Sequence, residues 1–231
     1  LNHRKLNYSI TLVIIAVSIA GIFRLQSKGY IVDDLPKSDR IYTDLRFFER
    51  NFKGVMPLEI IVDTKKKYGV TRNLHNLQRI DSLSQFLASM PDIARPLSIT
   101  EGLKFAKQAF FDGDSMNYSM PAEYDLPALS QYLSFRNDSG TAKNSLTKLV
   151  STFMDSNRQQ ARISVSMADV GTKRLPLILD SITKRVNELF DKDKYDVQLT
   201  GTSVTFQEGS RYIINGLKDS IIWAFLLIAL C

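Results

Sequence analysis

Apolar residues run almost continuously at the two ends of this chain and recur at regular intervals between them. The stretch YSITLVIIAVSIAGIFRL, residues 8–25, holds a single charge, Arg24, close to its end. A helix needs about 18–20 apolar residues to cross a hydrocarbon core, so this run suffices, and Arg24 sits where a long stem reaches the interface. Arg4 and Lys5 before the run favour a cytoplasmic start, whereas Arg24 and Lys28 after it pull the other way. A cleaved signal peptide is the competing reading. Against it, Arg24 follows the apolar run at once, and no small-x-small site precedes a polar start. In both readings the next domain leaves the cytoplasm. At the other end SIIWAFLLIALC, 220–231, is too short to span a bilayer alone. It reads as the start of a second membrane helix within a longer polypeptide, with 203–218 as a helix leading into it.

Between the ends the period of the apolar positions changes several times. In PKSDRIYTDLRFFERNF, 36–52, Ile41, Leu45, Phe48 and Phe52 fall at helical spacing, which predicts an amphipathic helix begun through Pro36 and ended near Gly54. PLEIIVDT, 57–64, is rich in β-branched residues and predicts a strand with KKKYG as its turn. Leu74, Leu77, Ile80, Leu83, Leu87 and Met90 predict a helix over 74–90, with Asn73 as N-cap and Pro91 as stop. RPLSIT, 95–100, reads as a brief strand, and 101–146 as an irregular insertion with short helices near 101–111, 126–135 and 141–146. LVSTFM and ARISVSM, joined by DSNRQQ, read as a hairpin over 147–168, because Ala161, Ile163, Val165 and Met167 alternate with polar residues. Thr172 is a candidate cap for a helix to about Phe190, with Pro176 in its first turn. Its inward residues would be Leu175, Leu179, Ile182, Val186 and Leu189. YDVQLTG, 195–201, is a last strand.

With the insertion set aside, the order is strand, helix, strand, strand, helix, strand. This predicts an α+β domain of the ferredoxin-like, split βαβ (βαββαβ) kind, an antiparallel sheet with two helices on one face. The expected division is 1–28 for the cytoplasmic tip and first membrane helix, 29–202 for the extracytoplasmic domain, and 203–231 for the connecting helix and the truncated second membrane helix.

Composition changes this picture little. Of 231 residues, 44% are hydrophobic and 23% charged, which suits a folded domain and argues against disorder. The net charge of +6 is spread among acids, and its densest run, Lys65, Lys66 and Lys67, reads as a solvated turn. Without zinc-finger spacing or an aromatic-basic stacking motif, no nucleic-acid partner is expected. Cys231 is the single cysteine, so no intrachain disulfide forms.

Catalytic signatures are missing from the sequence. The histidines are His3 and His75, and no Walker loop, nucleophile elbow or dinucleotide fingerprint occurs. Asp112-Gly113-Asp114 opens like a calcium loop, but the later ligand positions do not follow, so a plain turn is expected. Glu49, Glu59 and Glu101 stand singly, with Glu59 on the strand face opposite Leu58 and Ile60, either exposed or lining a cleft. The expectation is therefore no enzyme, no cofactor and no metal centre. Phe47, Phe48 and Phe52 read as a packing stripe. The insertion holds Phe105, Phe110, Phe111, Met116 and Tyr118, with Met120 and Tyr124. It reads either as a small helical subdomain with its own core or as an adaptable apolar surface bordering a route for an amphipathic substrate.

Two long phrases carry a family resemblance: DDLPKSDRIYTDLRFFERNFKGVMPLEIIVDT at 33–64 and LTGTSVTFQEGSRYIINGLKDSIIWAFLLIALC at 199–231. Together with the order of elements over essentially the whole chain, they make it resemble the first third of an RND-superfamily exporter. The likeness is to the MMPL-like branch, which includes hopanoid and mycobacterial lipid transporters. The resemblance implies a multi-pass protein of the bacterial inner membrane with two similar halves, exporting hydrophobic or amphipathic compounds (lipids or drugs) in exchange for protons. Residues 29–202 would be its first periplasmic porter domain. Its implied partners are the lipid bilayer, the substrate and the second porter domain of the same full-length chain, with room for a homo-oligomer. The family's proton-relay carboxylates lie in a later membrane helix, so none is assigned here. The alternative is a membrane-anchored sensor, in which two helices flank a periplasmic ligand-binding domain.

Overall fold

A computed structural model of the chain describes residues 4–24, 29–30, 35–125 and 152–230. The helices expected near 126–135 and 141–146 lie outside these residues, as does Cys231. Among the described residues are seven α-helices and one three-stranded antiparallel sheet. Helix α1 spans Arg4–Arg24, α2 Arg40–Phe52, α3 Gly69–Arg72, α4 Leu74–Ser89, α5 Ile99–Phe110, α6 Gly171–Leu189 and α7 Thr202–Leu230. The strands are β1 Met56–Asp63, β2 Gln160–Met167 and β3 Asp196–Thr200, in the order β2-β1-β3.

Alternation along β1 and β2 sets the register. Met56, Leu58, Ile60 and Val62 stand opposite Met167, Val165, Ile163 and Ala161, and all eight are buried. Slipping the pairing by one residue would turn this row to solvent. On the other edge Ile60 and Val62 face Leu199 and Val197. Helices α4, α5 and α6 complete the core over this face with Leu77, Ile80, Leu83 and Leu87, with Ile99 and Leu103, and with Leu175, Ile178, Ile182 and Val186. Each fully buried aliphatic side chain contributes about 1.5–3 kcal/mol. The opposite face is polar: Glu59 pairs with Arg162 at 2.8 Å, and Asp63 accepts the side-chain amides of Gln159 and Gln160.

Several expectations need correction. The stretch 95–100 is not a strand. Ile93 and Leu97 make isolated antiparallel bridges to Met167 and Ser164 on the free edge of β2, and Met154 makes another to Ala161. Pro96, which lacks an N–H, interrupts this row, and α5 already begins at Ile99. Thr172 does not cap its helix. That helix begins at Gly171 after Val170, and the Thr172 hydroxyl instead accepts the N–H of Gly29 at 3.1 Å. Pro176 therefore lies beyond the first turn.

Helix α2 begins at Arg40, four residues after Pro36, because the Asp39 carboxylate caps the N–H of Ile41 at 2.9 Å. Its Phe47, Phe48 and Phe52 are not a packing stripe. No residue of α2 is buried, and Ile41, Phe47, Phe48 and Phe52 are each at least half exposed. Periodicity reports an apolar face but not the surface that covers it.

Helix α7 follows β3 after Gly201 and continues without a break to Leu230. At 1.5 Å per residue its 29 residues extend about 43 Å. Among the described residues it is the one helix long and apolar enough to cross a membrane, with a mean hydropathy of 1.7 over its most apolar window. Helix α1 has 21 residues, and its described apolar stretch is Tyr8–Ser18.

Candidate functional site

Three links gather at the end of the sheet where β1 begins. Gly29, just after α1, exchanges hydrogen bonds with Thr172: its N–H donates to the hydroxyl at 3.1 Å, and its carbonyl accepts the Thr172 N–H at 3.0 Å. Gly54, just after α2, has φ 148° and lies so close to Met167 that a Cβ would stand 2.1 Å from the Met167 carbonyl. Gly201, with φ 100°, sits over Pro57, and the Ser203 hydroxyl donates to the Pro57 carbonyl at 3.0 Å. Gly29 and the roots of α2 and α7 thus share one end of the domain.

A proline in a central strand normally forfeits a ladder bond. Here β3 ends at Thr200, opposite Glu59, so no strand continues beside Pro57. The N–H and C=O of one strand residue point to the same side, and the Pro57 carbonyl faces Ser203. The missing donor therefore falls where no strand would have used it.

A charged network joins α4, α5 and the turn after α5. Lys104, 8% exposed, pairs with Asp81, 5% exposed, and with Glu101 at 3.0 Å. Glu101 also accepts the Tyr118 hydroxyl at 2.7 Å and the Arg95 guanidinium at 2.8 Å, while Arg95 lies over the Tyr118 ring at 4.9 Å. Gln85 donates to Asp81 at 2.7 Å. Burial alone would raise the Glu101 carboxyl, but the bonds from Tyr118 and Lys104 outweigh it and hold the group below its ordinary value. Burial would likewise lower Lys104, and the bonds to Asp81 and Glu101 reverse the sign. Tyr118, partly desolvated and donating to a carboxylate, is pushed up to about 12. Next to the network a cleft of about 350 Å³ is lined by Lys53, Gln85, Arg95, Glu101 and Lys104 among others.

The five residues expected to form an apolar surface divide. Phe110 and Phe111 meet edge-on at 5.2 Å, and both are partly exposed. Phe105 lies on the solvent side of α5, and Met116 is exposed on the 3-10 turn Ser115–Asn117. Tyr118 leaves the group, because its hydroxyl is held in the charged network. Asp112-Gly113-Asp114 is a turn with positive φ at Asp112 and Gly113, and Asp114 accepts the Met116 N–H at 2.9 Å.

A larger cleft, of about 540 Å³, opens at the other end of the sheet, beyond Asp63. It is lined by Thr64, Lys66, Lys67, Gly69, Arg72, Asn73, Asn76, Lys194 and Tyr195. Sequence reading took the lysine run for a turn and missed the cleft. The available signal was a stretch from Thr64 to Ile80 with five basic residues and no carboxylate.

No family model matches the chain, and no curated protein matches it.

Proposed function

We propose that this chain is the first membrane helix, the first periplasmic porter domain and the beginning of the second membrane helix of a proton-driven RND/MMPL-like exporter of hydrophobic or amphipathic compounds. The observation that carries the reading is that Gly29, which follows α1 in the sequence, and the root of α7 lie at one end of the domain. A domain held this way projects from one membrane face, as a porter module does. The continuity of β3 into α7 supports it as well, since Gly201 and Ser203 lock that junction to β1. The split βαβ reading of the domain is supported by the order β2-β1-β3 and by the bridges of Ile93 and Leu97 on the free edge of β2. That edge is where the second strand in sequence of a βαββαβ sheet belongs. The exposed aromatic residues Phe105, Phe110 and Phe111 are the proposed border of the substrate route.

Placement in the bacterial inner membrane with the domain outside follows from the same reading. It is tested by labelling a Lys66→Cys variant in a Cys231→Ser background with a membrane-impermeant maleimide on intact cells. Labelling from outside is expected, and labelling only after lysis would overturn the orientation. The transport activity is tested on the full-length protein in proteoliposomes. A proton gradient is expected to drive amphipathic dye across the bilayer. A protein that moves nothing but couples ligand binding to a cytoplasmic signalling module would be a sensor instead.

A further inference from the structure

We propose that the cleft at the end of the sheet remote from the membrane-helix roots binds a phosphate-bearing anion of at least two negative charges. Four of its nine lining residues are cationic, Lys66, Lys67, Arg72 and Lys194, and none is a carboxylate. Lys66, Lys67 and Arg72 have no carboxylate within ion-pair distance among the described residues. Among the described residues Lys194 pairs only with Asp191, at 3.5 Å on the surface. In the smaller cleft, by contrast, the carboxylate Glu101 belongs to the lining and pairs with both Lys104 and Arg95. Like charges left together repel one another and cost the folded state free energy. An anionic ligand removes that cost.

The cleft is built rather than formed by loose side chains. The turn that carries the lysines is stitched to the turn before β2: Thr64 N–H donates to Gln159 at 3.0 Å, Tyr68 to Asn157 at 2.8 Å and Val70 to Arg158 at 3.0 Å. Its wall is Asn76, 8% exposed, whose amide donates to the Gly69 carbonyl at 2.7 Å and accepts the Tyr195 hydroxyl at 2.7 Å. Gly69 lets the Thr64 side chain close on the turn, because a Cβ there would stand 2.1 Å from the Thr64 hydroxyl. Asn73, which lines the cleft, caps the N–H of His75 through its oxygen, and its amide NH2 makes no hydrogen bond among the described residues. The positive end of α4 adds to the field.

Charge and geometry select the ligand class. A single carboxylate would leave most of the positive charge uncompensated, whereas a phosphomonoester carries about −1.5 to −2 and a diphosphate more. Arg72 supplies a planar fork for two oxygens, and the lysines supply point charges around them. Strand β1 separates the cleft from the membrane-helix roots by its eight residues, about 26 Å. A lipid phosphate would therefore have to arrive on a molecule lifted from the bilayer. The proposal is independent of whether α1 and α7 belong to an exporter or a sensor.

The test is calorimetric titration of inorganic pyrophosphate into the full-length protein in zwitterionic nanodiscs, at low and high salt. Saturable binding that weakens with salt is expected. Arg72→Gln is expected to weaken it at least about tenfold, and so is the paired surface change Lys66→Gln with Lys67→Gln. Lys53→Gln, at the opposite end, leaves it unchanged. Because these variants relieve repulsion, their melting temperatures are expected to stay level or rise. Absence of saturable binding overturns the proposal, as does binding that the cleft variants and Lys53→Gln weaken equally. A soluble short-chain phosphatidic acid, titrated below micelle formation, separates the sources. Tighter binding than pyrophosphate assigns the site to a lipid headgroup, and equal or weaker binding assigns it to free phosphates.

Discussion

The hydroxyl of Ser203, fully buried at the first turn of α7, donates to the carbonyl of Pro57 in β1 at 3.0 Å. Residues far apart in sequence thus fix the root of α7 to the start of the central strand. Ser203→Ala leaves that carbonyl without its partner and is expected to cost about 1 kcal/mol. Gly201→Ala is expected to cost more, about 1–3 kcal/mol, because φ is 100° and the new Cβ would lie 2.9 Å from the Pro57 carbonyl. Thermal unfolding of the full-length protein in detergent measures both. Equal melting temperatures for Gly201→Ala and the parent would refute the close contact.

Lys104 is the one cation shared by Asp81 and Glu101, and all three side chains are largely buried. Lys104→Met leaves the buried Asp81 without its cation, while Glu101 keeps Arg95 and Tyr118, and is expected to destabilise the domain by about 3 kcal/mol. Adding Asp81→Leu should recover part of the loss, since the buried charge goes with its partner. A double variant no more stable than Lys104→Met alone would show that the pair is not the source of the cost.

The same network sets the pH range of greatest stability. Glu101 titrates below 4.5 in the folded state, so its contribution is present above pH 4.5 and is lost as pH falls through the lower folded value. Lys104 is raised above 10.5, so its contribution holds below pH 10.5 and is lost as pH rises through its folded value. Tyr118 adds an alkaline loss between pH 10.0 and about 12. Melting temperature should therefore level off between these limits. Glu101→Gln should flatten the acid limb, and an unchanged acid limb would remove Glu101 from the account.

Phe110 and Phe111 present their edge-on pair at the surface after α5. Replacing both with Ser removes apolar surface without opening the core. Under the proposed exporter function, reduced export at unchanged protein level is the expected result, read as dye efflux from cells beside an immunoblot. Normal efflux would assign the pair a local packing role only.

The sequence by itself determined the local elements. A run of β-branched residues made β1 legible and alternation made β2 so, Asn73 marked the start of α4, and the stripe of Leu175, Ile182 and Val186 marked α6. The passage from β3 into one continuous helix was equally plain, because helical spacing merges into an unbroken apolar run. Tertiary structure alone decided what meets what. It left the face of α2 exposed although its periodicity matches that of a buried helix. It turned Thr172 from a cap into the partner of Gly29, and drew Tyr118 out of an apolar group into a charged one. It brought Lys66 and Lys194 to one cleft across the length of the domain. A period records which side of an element is apolar, since that depends on neighbours three or four positions away. Partners distant in sequence leave no such trace, because their meeting depends on how the sheet and its helices close around a shared core.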